Sequence, residues 1–215
     1  MNEYQAETIT VQYGVRRCIH AAECGQRLSQ VFDSRKRPWV DPTNASADEI
    51  AAAVEACPSG ALHYIRHDSG TAEQPVAANT VRMVANGPLY IRGDLELVLG
   101  DEVVLQETRV ALCRCGASNN KPFCDNTHKD ISFTHDGIVN PEKYKISEIN
   151  GGGKLVITPT SNGSVKIEGD FEITDASGAL IYQGSKTWLC RCGGSASKPF
   201  CDGSHKTNDF TAAGK

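Results

Sequence analysis

Cys113, Cys115, Cys124 and His128 are the first residues whose types and spacing could do chemistry. Their order, Cys-x-Cys-x8-Cys-x3-His, puts three thiolates and one imidazole into 16 residues, enough donors for one metal centre. The same order returns at Cys190, Cys192, Cys201 and His205. CRCGASNNKPFCDNTH and CRCGGSASKPFCDGSH align without a gap, and each donor moves by 77 positions. A third group, Cys18, Cys24 and Cys57, completes the nine cysteines. An odd number cannot close entirely into disulfides, and no export-type apolar region is visible at the start. A reducing, cytoplasmic setting is expected, with thiolates free to bind metal. By ligand type alone, structural zinc and iron fit equally well. Spacing favours iron: zinc ribbons bring in ligands as Cys-x2-4-Cys pairs, whereas one residue separates the first pair here.

The elements that must hold these donors are also repeated. Asn86, Gly87, Gly93 and Asp94 recur as Asn162, Gly163, Gly169 and Asp170 at an offset of 76. Leu95, Leu97 and Leu99 alternate with other residues, as do Val165, Ile167 and Gly169, which predicts half-buried strands. A second strand over 103–112 and 180–189 delivers the first two cysteines of each copy. Asp125 and Asp202 are expected as N-caps of one helical turn, which carries His128 or His205 beside the cysteine four residues earlier. A lone hairpin is marginal in water, so the copies are expected to pack on each other as an intrachain pseudo-dimer. Asn140-Pro141 and Gly151-Gly152-Gly153 read as turn and linker between them. Near the N-terminus, Ser46-Ala47-Asp48-Glu49 is a capping box, followed by Ile50, Val54 and Cys57 at helical spacing. The expected class is α+β: a small module at 1–75, a first repeat at 80–135, a connector at 136–155 and a second repeat at 156–215.

Both ligand segments resemble the CDGSH iron-sulfur domain family, which includes mitoNEET. The resemblance rests on Cys-x-Cys, Ser118 or Ser195, Pro122 or Pro199, and the Cys-Asp-x-x-x-His ending. The second copy spells CDGSH; the first spells CDNTH, with Asn126 where the family has glycine, a mild departure because asparagine tolerates left-handed backbone. The resemblance implies two 2Fe-2S clusters. Cys113 and Cys115 would hold one iron and Cys124 and His128 the other, with Cys190, Cys192, Cys201 and His205 repeating the set. The blocks CIHAAEC and CPSGAL resemble divergent mono-cluster ferredoxins, except that Ala21 stands where the middle cysteine belongs. Three cysteines suit a 3Fe-4S cluster, or a 4Fe-4S cluster whose fourth iron is held by His20, Glu23 or solvent. A module that keeps the fold and holds no cluster is the alternative.

Other residues carry weaker signals. His20 is expected on an exposed helix, and His63, His67 and His135 on the surface or in loops. Arg114 and Arg191 suit either cluster-charge balance or a solvated strand, and Lys121 and Lys198 suit either site tuning or water. Trp39 and Trp188 are expected near the cores. A net charge of -4 argues against nucleic acid, and no apolar stretch suggests a membrane span. No nucleophile elbow, zinc-protease helix or dinucleotide fingerprint is found, so an enzyme is not expected. The leading expectation is an electron-transfer protein, a monomer, with a redox partner protein or a cluster acceptor. Cluster storage, sensing or donation is the second reading, and a structural zinc interaction module the third.

Overall fold

Ile9 and Val11, both fully buried, make the middle strand of a three-stranded antiparallel sheet. Its strands are β1 (Asn2–Gln5), β2 (Ile9–Tyr13) and β3 (Leu62–Arg66), in that spatial order. Two helices follow β2, α1 (Glu23–Arg27) and α2 (Ala47–Glu55). The capping box forms as expected: the Glu49 carboxylate accepts from the Ser46 amide at 2.9 Å, and the Ser46 hydroxyl accepts from the Glu49 amide at 3.4 Å. A cap of this kind is worth about 1 kcal/mol. Ile50, Ala53 and Val54 on one face of α2 then pack with Ile9, Val11 and Leu62.

This first unit of the computed structural model spans Met1–Gln74, and the second spans Pro75–Lys215. Residues 1–140, 144 and 146–214 are described; Pro141, expected in a turn, and the terminal Lys215 lie outside them. No described helix is long and apolar enough to cross a membrane.

The second unit is sheet-rich. Its strands are β4 (Thr80–Met83), β5 (Leu89–Leu99), β6 (Glu102–Leu112), β7 (Lys154–Pro159), β8 (Val165–Thr174) and β9 (Leu180–Leu189). The alternating leucines lie in β5, and the strands expected over 103–112 and 180–189 are β6 and β9. β4 pairs antiparallel with β5 and parallel with β8, while β7 pairs antiparallel with β8 and parallel with β5. These four pairings close a ring in which each copy lends a short strand to the long strand of the other. β6 and β9 join as hairpin partners of β5 and β8. Gly93 and Gly169 sit at the register shifts of β5 and β8, which explains their recurrence in the sequence. One core draws on both copies, with Leu89, Ile91 and Leu112 from the first and Ile167, Phe171 and Leu189 from the second.

The strands β4 and β7 were not legible as separate elements, because four to six residues carry too little periodicity. Helix capping also needs correction. The N-cap of α3 (Thr127–Asp130) is Asn126, and that of the 3-10 turn Ser204–Lys206 is Gly203, both left-handed. Asp125 and Asp202 stand one residue earlier. Their carboxylates accept from the amides of Thr127 and Ser204, both at 3.0 Å, which bends the chain into the turn before the helix begins.

Candidate metal centres

Each repeat delivers its donors by the same construction. β6 ends at Leu112 and β9 at Leu189, and each last residue bridges to a phenylalanine of the returning loop, Phe123 or Phe200. The Cys113 amide donates to the Pro122 carbonyl and the Cys124 amide to the Ala111 carbonyl, both at 2.8 Å. Cys190 and Cys201 repeat this with Pro199 at 2.7 Å and Trp188 at 2.9 Å. The third cysteine is thereby tied beside the first. Ser118 and Ser195 fix the loop from within, donating to the Phe123 and Phe200 carbonyls at 2.7 Å.

The donors of each copy fall into two pairs. Cys113 and Cys115 sulfurs stand 3.7 Å apart, and those of Cys190 and Cys192 3.8 Å. Cys124 Sγ lies 3.4 Å from His128 Nδ1, and Cys201 Sγ lies 3.4 Å from His205 Nδ1. Two sulfurs about 2.3 Å from one tetrahedral metal stand about 3.8 Å apart, and a sulfur and an imidazole nitrogen about 3.5 Å apart. Each pair is thus spaced to grip one metal atom. The two pairs do not merge into one cage: among the described residues, no group of three or more His, Cys, Asp or Glu side chains is gathered around a single ion position.

In the first unit, Cys18 follows a 3-10 turn (Val15–Arg17), Cys24 lies in α1, and Cys57 follows α2. All three line one cavity of about 560 Å³ together with Tyr13, His20 and Ala21. His20 is exposed and precedes α1 with a left-handed φ of 49°, so it is not the helical residue expected. Its Nδ1 stands 3.9 Å from Cys18 Sγ. The tie between Cys57 Sγ and Ser59 Oγ is 3.5 Å.

Residues 4–67 match the family described as divergent 4Fe-4S mono-cluster, and residues 86–129 and 162–206 match the iron-binding zinc finger of CDGSH type. The first unit is also 31% identical over 64 residues to the uncharacterized protein YjdI of Escherichia coli K12, covering 30% of this chain and 83% of that protein. The O157:H7 strain's YjdI gives the same figures. The first unit is thus of the divergent 4Fe-4S mono-cluster family, and the second carries two segments that match the CDGSH family. No solved structure matches it. Both CDGSH ligand segments lie inside the matched ranges, and so do Cys18, Cys24 and Cys57.

Protons in the CDGSH sites follow from burial. Cys113 and Cys115 share a hydrogen bond that pushes Cys115 down to about 7 and Cys113 up. Burial raises Cys124 and Cys190, each to about 11, and in the other family's site raises Cys24 to about 11. Metal uptake must displace these protons, so loading is favoured by rising pH. Amides point at the sulfurs to support the charge: Asn126 N to Cys124 Sγ at 3.5 Å, and Gly194 N to Cys192 Sγ at 3.4 Å.

The two CDGSH sites differ in access. His128 and Cys124 are buried, whereas His205 and Cys201 are partly exposed. Arg114 and Arg191 are not solvated: they are 1% and 2% exposed, among the largest wholly buried side chains. His135 lies in a loop, half-buried, and its Nδ1 takes an Arg114 N–H at 3.0 Å. His67 Nε2 bonds Thr10 Oγ1 at 2.8 Å. Lys121 and Lys198 reach back to the Ser118 and Ser195 carbonyls at 2.6 Å. Trp39 packs edge-on against Tyr13, but Trp188 is 46% exposed, because its strand partner is Lys166 and Lys186 lies over its ring. Phe133 and Phe210, which lie under Arg114 and Arg191, fall outside the ligand motif. Carrying the 77-residue offset five residues past His128 pairs them.

Asp125 gives a direct test of the loop. Its carboxylate accepts from Asn119 N at 2.7 Å, Thr127 N at 3.0 Å and Thr127 Oγ1 at 2.7 Å, tying the segment between second and third cysteines to the histidine turn. These bonds, foremost the Thr127 hydroxyl's, hold its carboxyl below the usual range despite burial. Asp125→Ala is expected to cost about 1–3 kcal/mol and to speed metal loss from the first CDGSH site alone, read from visible absorbance over time.

Proposed function

We propose that the protein carries electrons, with one 2Fe-2S cluster in each CDGSH domain and a third cluster, 3Fe-4S or 4Fe-4S, in the first unit. The observation that supports this best is the division of each CDGSH donor set into two pairs with one-metal spacing. Four donors split in this way suit two bridged irons, whereas a mononuclear zinc site needs all four around one ion. The strand exchange between copies supports an internal pseudo-two-fold pair, and hence a monomer whose second half is already tethered. The residues named here bind and orient; none forms a catalytic set, so the reading is a carrier and not an enzyme. The partner in this reading is a one-electron redox protein.

Anaerobic preparation followed by iron, zinc and acid-labile sulfide counts tests the cofactors, and reduction by dithionite or a ferredoxin reductase tests the activity. A red-brown protein that bleaches and recovers reversibly is expected. Stoichiometric zinc without sulfide, or clusters that never accept an electron, would overturn the reading. Cluster donation is the second reading, favoured by the partial exposure of Cys201 and His205. Incubation with an apo-ferredoxin separates the two, since donation predicts that the second site empties first.

A further inference from the structure

The two Cys-Arg-Cys segments, one from each repeat, touch each other. A Cβ on Gly116 would stand 2.2 Å from the Cys192 carbonyl oxygen, and one on Gly193 would stand 2.3 Å from that of Cys115. Both glycines are left-handed, at φ +82° and +79°, so backbone meets backbone next to a ligand cysteine in both directions. Arg114 and Arg191 start from this contact and run inward. Arg114 donates to the carbonyls of Gly87, Val84 and His135 and to His135 Nδ1. Arg191 donates to the carbonyls of Gly163, Ala213, Thr160 and Ala212.

Every acceptor described for these two guanidiniums is neutral. A wholly buried cation with no carboxylate against it is costly unless negative charge stands close by. The cysteines supply it once metal has taken their protons: Cys190 of the other repeat acts on Arg114 together with Asp136 and Cys115 of its own, and Cys113 of the other repeat acts on Arg191, each opposing the effect of burial. The aromatic contacts cross in the same way. Phe210 lies under Arg191 of its own repeat and Lys121 of the other, at 5.3 and 5.8 Å; Phe133 lies under Arg114 and Lys198, at 5.4 and 5.9 Å.

We propose that Arg114 and Arg191 are positioning residues that compensate charge across the repeats, so that the two CDGSH sites work as one electrostatically linked redox pair. Arg191 raises the potential of the first site and Arg114 that of the second. This rests on the 2Fe-2S reading, in which each site is negative and becomes more so on reduction. One electron enters each site from a one-electron donor, and the first to arrive opposes the second. A buried positive charge that starts from the contact of the two Cys-Arg-Cys segments eases both steps.

The test uses the full chain, with iron and sulfide counted first; their absence would sink the cluster reading rather than this one. In a Cys201→Ala background, which leaves the first CDGSH site loaded, Arg191→Gln should lower that site's midpoint potential, and Arg191→Lys should recover most of the shift. A purely structural arginine would not show recovery through charge alone. A potential unchanged by Arg191→Gln at full iron content, or a shift that lysine leaves in place, overturns the proposal. A second measurement needs no arginine variant. Cys201→Ala alone removes a negative neighbour, so the first site should titrate at a higher potential than the more negative of the two steps of the intact protein. Two superimposed steps in the intact protein, at the potential of the Cys201→Ala chain, would overturn the linkage.

Discussion

Replacing His205 by Cys, or His128 by Cys, should lower the midpoint potential of that site by on the order of 100 mV or more and abolish its loss of metal in mild acid. The first effect follows from charge. A neutral imidazole in the fourth position leaves the site less negative than a fourth thiolate would, and two-histidine centres lie roughly between -150 and +300 mV against about -400 mV for all-cysteine ones. One histidine per site belongs between these limits. The second effect follows from the proton. Nδ1 of His128 faces Cys124 Sγ at 3.4 Å and can bind metal only when unprotonated. Burial first, then the charges of Lys129 and Arg114, holds His128 below the ordinary imidazole value of 6.5. The unfolded chain therefore takes up this proton before the folded one does. The histidine's contribution is whole above the unfolded value and is lost as pH falls from about 6.5 toward the lower folded value. Visible absorbance followed across about pH 5 to 7 should show release from the native protein and retention by the cysteine variant. Retention by both would mean that the imidazole is not a ligand.

The two candidate donor sets stood out because three cysteines and a histidine at fixed spacing are rare and occur twice. The strands leading to them were legible for the same reason that any half-buried strand is: Leu95 and Leu97 face a core while their neighbours lie on a half-buried face. What the sequence hid is long-range. Nothing in the run Thr80–Met83 announces that it pairs with two strands, one of them 92 residues downstream at Thr80↔Glu172. Arginine is ordinarily a surface residue, so the burial of Arg114 and Arg191 contradicts the default for the type, and only the Cys-Arg-Cys identity of both copies hints at it. Trp188 fails in the opposite sense. A tryptophan two residues before a ligand cysteine reads as core, but its repeat equivalent Ala111 is the buried one, and Trp188 faces outward beside Lys166. His135 shows how the copies have diverged. The equivalent position is Ala212, and Arg191 there uses main-chain carbonyls where Arg114 uses an imidazole. Sites that match in ligands thus differ in their surroundings.

The first unit offers the other large effect. Cys18, Ala21 and Cys24 have the even spacing of a three-cysteine ferredoxin run with its middle member missing, and Ala21 lines the same cavity as the three cysteines. Left-handed residues on either side, His20 at φ 49° and Ala22 at φ 63°, wrap the loop around that position. Alanine and cysteine both carry a Cβ, so Ala21→Cys adds a sulfur where the loop already closes on the cavity. The expected outcome is an additional iron per chain. The paramagnetic signal of an oxidised three-iron centre should give way to one seen only after reduction, as a four-iron centre requires. Metal analysis and electron paramagnetic resonance on the intact and substituted chains read both changes. An unchanged iron count with an unchanged spectrum would place Ala21 away from the fourth corner. If neither chain holds iron in this unit once the CDGSH sites are accounted for, Cys18, Cys24 and Cys57 are packing residues around a cavity, and the third cluster falls. The sulfur of Cys24 is already held protonated by burial, with Cys57 and Cys18 adding to the effect, as befits thiols gathered closely enough to repel one another when ionised. Iron binding must draw these protons off, and iron is the ion that the family match associates with this unit.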